Sequence, residues 1–166
     1  MSKASRVTTR VAPVQGASVS GVMVVRAETI TVQTEERIEL VDITERLAAY
    51  VESVGLREGI LSVWSLHTTC AVFINESQLA LHADIKTALE NMIARDDEWM
   101  HNDPDHSDCD RMNADSHLRA LLLGHNLTLQ VSGGEVVLGQ WQRILMAELD
   151  GPRARSLRIQ IFGVHS

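Results

Sequence analysis

Three of the chain's seven histidines, His67, His101 and His117, stand where chemistry could be done. His67 closes an apolar stretch in Leu66-His67-Thr68-Thr69, His101 opens an acidic loop, and His117 sits beside a run of leucines. Imidazole is a common ligand of Zn, Ni, Fe and Cu, and three ligands from separated elements suit a catalytic divalent metal (Zn or similar) with an open position. No HExxH or CxxC spacing supports this. The competing reading, three separately hydrogen-bonded histidines, stays open on spacing alone.

Around these rings lie candidates for the rest of a reaction. Glu76 and Asp84 are the carboxylates placed to move a proton, although Glu76 serves equally well as a first-turn acid favoured by the helix dipole. Asn75 and Gln142 are polar residues at strand ends that could bind substrate. Arg143, Arg153, Arg155 and Arg158 gather in the last block of a chain whose net charge is −7. Guanidinium forks match phosphate or carboxylate oxygens, so Arg153 could steady an anionic substrate; charged residues guarding a sheet edge explain the same block. The aspartates of residues 96–113 lack the glycine and terminal glutamate of an EF-hand, which favours a solvated loop over a Ca or Mg site. Cys70 lies in apolar sequence and reads as a small core residue.

Several elements must position these residues. Val22 to Val32 reads as a strand, with Arg37 to Val41 as its hairpin partner. Asp42-Ile43-Thr44-Glu45 has the form of a capping box, opening a helix with Leu47, Val51 and Val54 as its stripe and Gly55 as its stop. Gly59–Leu66 and Ala71–Ile74 follow as short strands that bury Trp64 and Phe73. Leu81, Ile85, Ala88, Leu89, Met92 and Ile93 recur at helical spacing. Ala114 to Leu123 forms a further helix with its stripe at Leu118, Leu121 and Leu122.

The last forty residues read as strand. Gly133-Gly134 supplies a tight turn that pairs Val131 with Val136 and puts Leu127, Leu129, Val131, Val136 and Leu138 on one face. Trp141 anchors a strand running to Leu149, and Leu157, Ile159 and Ile161 point inward from the last one. The class is α+β, a single domain of antiparallel β-sheets with two to three helices.

At 166 residues the chain can bury a substantial core. Its acidity argues against nucleic acid and anionic membrane as partners. No apolar run approaches the roughly 20 residues of a membrane span. With only Cys70 and Cys109 there is no disulfide framework, which fits a reducing, cytoplasmic setting. Residues 1–21 read as a flexible N-terminal extension and residues 22–166 as the folded domain.

From about Val22 to Gly163 the sequence resembles the YjbQ family, also called the secondary thiamine-phosphate synthase family. The resemblance rests on an ordered set: Leu66-His67-Thr68-Thr69, Asn75-Glu76, Asp84, His101, Ser116-His117-Leu118, Leu122-Leu123-Gly124, and Gly134 followed by Gly139, Trp141-Gln142 and Ile144. Gln140 departs from a usual Thr, Asn126 from a common Ser, and the loop after His101 is longer than usual.

The resemblance implies a homotrimeric α+β protein whose pocket lies near subunit boundaries. It further implies weak thiamine-phosphate synthase activity, a transfer joining a pyrimidine diphosphate to a thiazole phosphate. His67, His101 and His117 match family histidines, and Glu76, Asp84, Gln142 and Arg153 match polar positions. The leading expectation is therefore an enzyme that accepts a phosphorylated small molecule in a His-rich, metal-binding pocket. The alternatives are a metal-dependent hydrolase of a small ester or phosphate and a non-enzymatic trimeric protein that binds a metabolite or metal.

Overall fold

The computed structural model describes residues 18–165, so the expected extension falls mostly outside the described residues. Strands β1 (Met23–Gln33) and β2 (Glu39–Asp42) precede helix α1 (Thr44–Val54), strands β3 (Leu56–Ser65) and β4 (Cys70–Asn75), and helix α2 (Leu79–Met92). A single 3-10 turn, Met100–Asn102, interrupts the acidic loop. Helix α3 (Ala114–Leu123) and strands β5 (Asn126–Ser132), β6 (Glu135–Val136), β7 (Arg143–Glu148) and β8 (Ala154–His165) complete the chain. The fold is α+β: two antiparallel sheets and three helices in one domain.

One sheet has the order β1-β8-β3-β5-β6 and the other β2-β7-β4. They share a core in which Leu61 and Val63 of β3, and Leu157, Ile159 and Ile161 of β8, meet Val72 of β4, Ile144 and Met146 of β7, and Leu47 and Val51 of α1. The reverse face of the small sheet packs Ala71, Ala147 and Leu149 against Leu89 and Ala120 from α2 and α3. Strand β7 is thus buried on both faces, which is why Ile144-Leu145-Met146-Ala147 is continuously apolar rather than alternating.

Several local expectations fail for identifiable reasons. Strands β1 and β2 do not form a hairpin: β1 pairs along its length with β8, while β2 crosses to the other sheet and pairs with β7. At the start of α1 the capping position falls on Ile43, whose apolar side chain cannot cap; Asp42 Oδ1 accepts from the Thr44 amide at 2.9 Å, and Glu45 reaches Arg143 Nη2 at 3.1 Å. Trp64 and Trp141 are each about half exposed, so neither anchors the core, and Phe73 is only half-buried.

Of the stripe expected on α2, only Leu89 and, just beyond the helix, Ile93 are buried. The α3 stripe is reversed: Leu121 and Leu122 face outward, while Asp115, Ser116 and Arg119 are buried. Ion pairs and hydrogen bonds decide that orientation, as the site geometry shows.

Other expectations hold. Gly55 ends α1 with φ 70°, and Gly133 and Gly134, at 61° and 86°, make the turn that pairs Val131 with Val136. The inward and outward alternation along β8 is as expected. Among the described residues no helix is long and apolar enough to cross a membrane.

Candidate functional site

Three chain segments, the β3–β4 turn, the stretch from His101 to His117 and the β7–β8 turn with the start of β8, converge on a cavity of about 370 Å³. Its lining includes His67, His101 and His117, together with Arg111, Arg153 and Asp150. The three histidines, far apart in sequence, thus share one recess, and Arg153 joins them.

Each is positioned differently. Ser65 Oγ contacts the His67 backbone at 3.3 to 3.4 Å, and His67 Nε2 accepts the amide N–H of Ser156 in β8 at 2.8 Å. The rings of His101 and His117 meet edge to face, with centroids 5.0 Å apart and planes at 85°. His117 is carried by α3, which is held to the end of β7 by Ser116 Oγ donating to the Leu149 carbonyl at 2.5 Å. Burial, first, and the neighbouring His101 push the His117 pKa down, against opposing pulls from Asp150 and Asp115. Burial, then Arg155, pushes His67 down as well, with Glu148 opposing. Both rings are therefore neutral near pH 7. No hydrogen bond engages either ring nitrogen of His117 among the described residues.

Beneath the rings lies a buried ionic floor. Arg155 Nε donates to Glu148 Oε2 at 2.6 Å, and its Nη2 donates to Glu148 Oε1 and to Thr69 Oγ1 at 3.0 Å. The same carboxylate accepts from Thr34 Oγ1 at 3.1 Å, at Oε2, and from the Asp150 amide N–H at 2.8 Å, at Oε1. Asp150 Oδ2 then gathers three donors: Asn113 Nδ2 at 2.9 Å, Arg153 Nη2 at 3.0 Å and Arg111 Nη2 at 3.0 Å. Gly151 is required here, because a Cβ on it would lie 2.6 Å from the Glu36 carbonyl and 2.7 Å from Glu148 Cγ.

Three guanidiniums against two carboxylates leave the recess with one excess positive charge in a chain that is acidic overall. Arg155 spends its Nε and Nη2 on Glu148 and Thr69, whereas Arg111 and Arg153 each retain N–H groups to offer a ligand.

The remaining candidates lie elsewhere. Strand β4 carries Asn75 to its far end, roughly 17 Å from Cys70 at the usual rise per residue, and Glu76 follows just beyond it. There Asn75 pairs with Arg143 and its Oδ1 accepts the Glu76 amide. Gln142 Oε1 accepts the Gly139 amide at 2.7 Å in the turn before β7. Asp84 is exposed on α2. None of the four lines the cavity.

A three-histidine metal centre does not fit this geometry. A metal-bound imidazole normally uses one nitrogen as ligand and donates a hydrogen bond from the other. In His67 one nitrogen is an acceptor, so the second must carry the proton. Among the described residues, no group of three His, Cys, Asp or Glu side chains is arranged to hold an ion.

Sequence reasoning passed over Asp150, Arg111 and Asn113 as site residues. The signal for Asp150 was present in the Asp150-Gly151-Pro152-Arg153 turn. Arg111 and Asn113 lay in a loop whose folded path nothing local specifies. Cys109 also lines the cavity, 3.7 Å from Asn113 Oδ1, while burial raises the Cys70 thiol pKa and keeps it inert within the core.

A family model described as UPF0047 protein YjbQ-like matches residues 28–164. The chain belongs to the YjbQ family. A UPF0047 protein of Methanothermobacter thermautotrophicus is 45% identical over 141 residues, covering 85% of this chain and 94% of that one. The UPF0047 protein YugU of Bacillus subtilis is 31% identical, covering 82% and 98%. Among solved structures, a YbjQ-like protein of unknown function from Sulfolobus solfataricus P2 superposes with a TM-score of 0.78 at 37% identity, covering 85% of this chain and 99% of that one. A hypothetical protein of Aeropyrum pernix K1 does so with 0.76 at 35% identity, covering 83% and 98%. These YjbQ relatives share the fold along nearly their whole length, and none of their names states an activity.

Proposed function

We propose that the cavity is the active site of an enzyme that binds one small phosphorylated molecule and moves a proton through neutral imidazole. The observation that carries this reading is the convergence of Arg111 and Arg153 on one Asp150 oxygen in a recess that also holds His117. Asp150 pre-orients the two guanidiniums, whose unused N–H groups suit phosphate oxygens. His117, neutral and with both ring nitrogens unengaged, acts as the general base. His67 must carry its proton on Nδ1, so it donates a hydrogen bond to oxygen on which negative charge develops. No metal is required for these roles.

Two reactions fit such a site. One is hydrolysis of a small phosphate ester, with His117 accepting a proton from water. The other is the transfer implied by the family resemblance, joining a pyrimidine diphosphate to a thiazole phosphate. The cavity volume favours the first, because about 370 Å³ lies near the lower end of the roughly 300–1,000 Å³ typical of ligand pockets and suits one substrate better than two. Assembly as a homotrimer remains part of the proposal on the resemblance alone.

Turnover of a panel of phosphorylated metabolites, with the synthase pair included, tests the reading. Activity should fall at least a hundredfold in His117→Ala and in Arg153→Gln. An active wild type whose rate is unchanged in both variants refutes it.

A further inference from the structure

A second recess, of about 590 Å³, opens against α2 and α3 and shares no lining residue with the first. Four cations line it: Arg37, Lys86, Arg95 and Arg119. So do Glu36, Glu90 and Asp96, so the total charge says little until burial is weighed.

The acids are exposed, and Glu36 is already paired with Lys86 at 2.8 Å. Arg119 is 1% exposed and the Arg37 side chain 26%. Both guanidiniums converge on Asp115, which is fully buried; Arg37 Nη1 and Nη2 donate to its two oxygens at 3.1 to 3.2 Å. Two inner cations against one inner anion leave one positive charge at depth. Charges act far more strongly there than on a solvent-screened rim.

Arg119 is also incompletely satisfied. Its Nε and Nη2 donate to the Ile93 carbonyl at 3.2 and 2.7 Å. Its Nη1 lies 3.1 Å from Asp115 Oδ2 as an ion pair, yet makes no hydrogen bond although buried. A buried donor without an acceptor costs about 1–3 kcal/mol, and a ligand oxygen would remove that cost.

We propose that this recess binds a short carboxylate, its anionic group held by Arg119 and Arg37 and its alkyl part lying against Ile38 and Ala94. A single excess charge matches a monoanion rather than a phosphate dianion, and the apolar lining matches a short chain. This site is separate from the histidine cavity and does not depend on what that cavity does.

Calorimetric titration of the full chain with propionate, and separately with inorganic phosphate, tests the assignment. Propionate should bind saturably, and Arg37→Gln should weaken it at least tenfold while leaving phosphate binding at the histidine cavity intact. Arg119→Gln should do the same. Because Arg119 is buried and that variant could fail to fold, Arg37→Gln, with circular dichroism as the fold control, carries the test. Absence of saturable propionate binding, propionate binding unchanged in Arg37→Gln, or phosphate outcompeting propionate at the Arg37-dependent site overturns the proposal.

Discussion

His67 and Ser156, 89 residues apart, are joined by a hydrogen bond in which the Ser156 amide donates to His67 Nε2 at 2.8 Å. A neutral imidazole has one donor and one acceptor nitrogen, so this bond fixes the tautomer with the proton on Nδ1. It also ties the β3–β4 turn to the start of β8. Protonating Nε2 would turn the acceptor into a donor facing another donor, in a site whose burial first, and the Arg155 charge second, already lower the ring's pKa.

Stability should therefore depend on pH with a definite sign. The folded pKa of His67 lies below its unfolded value of about 6.5. Between the two, the unfolded chain binds the extra proton. The contribution is fully present above about 6.5 and is lost as pH falls toward the folded pKa. Melting temperatures from pH 8 to pH 5 should decline through this window in the wild type and decline less in His67→Gln. Equal slopes would contradict this assignment.

The same logic applies to His117, where removing a nearby negative charge disfavours the imidazolium. Asp150→Asn should move the His117 titration, followed by NMR of the ring carbons, further below its ordinary range. An upward move would mean that Asp150 does not act on this ring through its charge.

Glu148 and Arg155 are each at most 1% exposed, and their pairing underlies both Thr69 and Asp150. Breaking a buried pair by removing one charge strands the other, at a cost of about 3 to 5 kcal/mol. Glu148→Gln should lower denaturant stability by that order, whereas breaking the solvent-screened Lys86–Glu36 pair by Glu36→Gln should cost far less. Similar losses for both would refute the distinction.

Much of this architecture is legible in the sequence, and the failures share a cause. The alternation in β8 and the Gly133-Gly134 turn are local signals, and the structure follows them. The Val22 and Arg37 strands were also recognisable, but which strands pair is a long-range matter: β1 found β8 more than 120 residues away. Helix α3 inverted its leucine stripe because Asp115 and Arg119, with Arg37 from the β1–β2 connection, form a buried ionic cluster that hydropathy cannot anticipate.

The site divides in the same way. His67, His101, His117 and Arg153 were identifiable by residue type and family pattern, and they meet. Asn75, Glu76, Asp84 and Gln142 carry the same kind of signal yet stand outside the cavity, since sequence pattern does not encode which end of β4 faces the histidines.

That separation has a measurable consequence. Within one chain Glu76 lies too far from the cavity to touch its ligand, so Glu76→Gln should change phosphate affinity less than twofold. A tenfold loss would contradict a site built from a single chain and would call for a neighbouring copy to supply the residue.

One titration tests the anion site most directly: inorganic phosphate into the wild-type protein near pH 7, with a chelator present, compared with Arg153→Gln. Saturable binding that survives the chelator and weakens at least tenfold in the variant, the value of one charge-assisted hydrogen bond, is the predicted result. Binding abolished by the chelator, indifferent to Arg153, or absent altogether would contradict an anion site built from Arg111, Arg153 and neutral histidines.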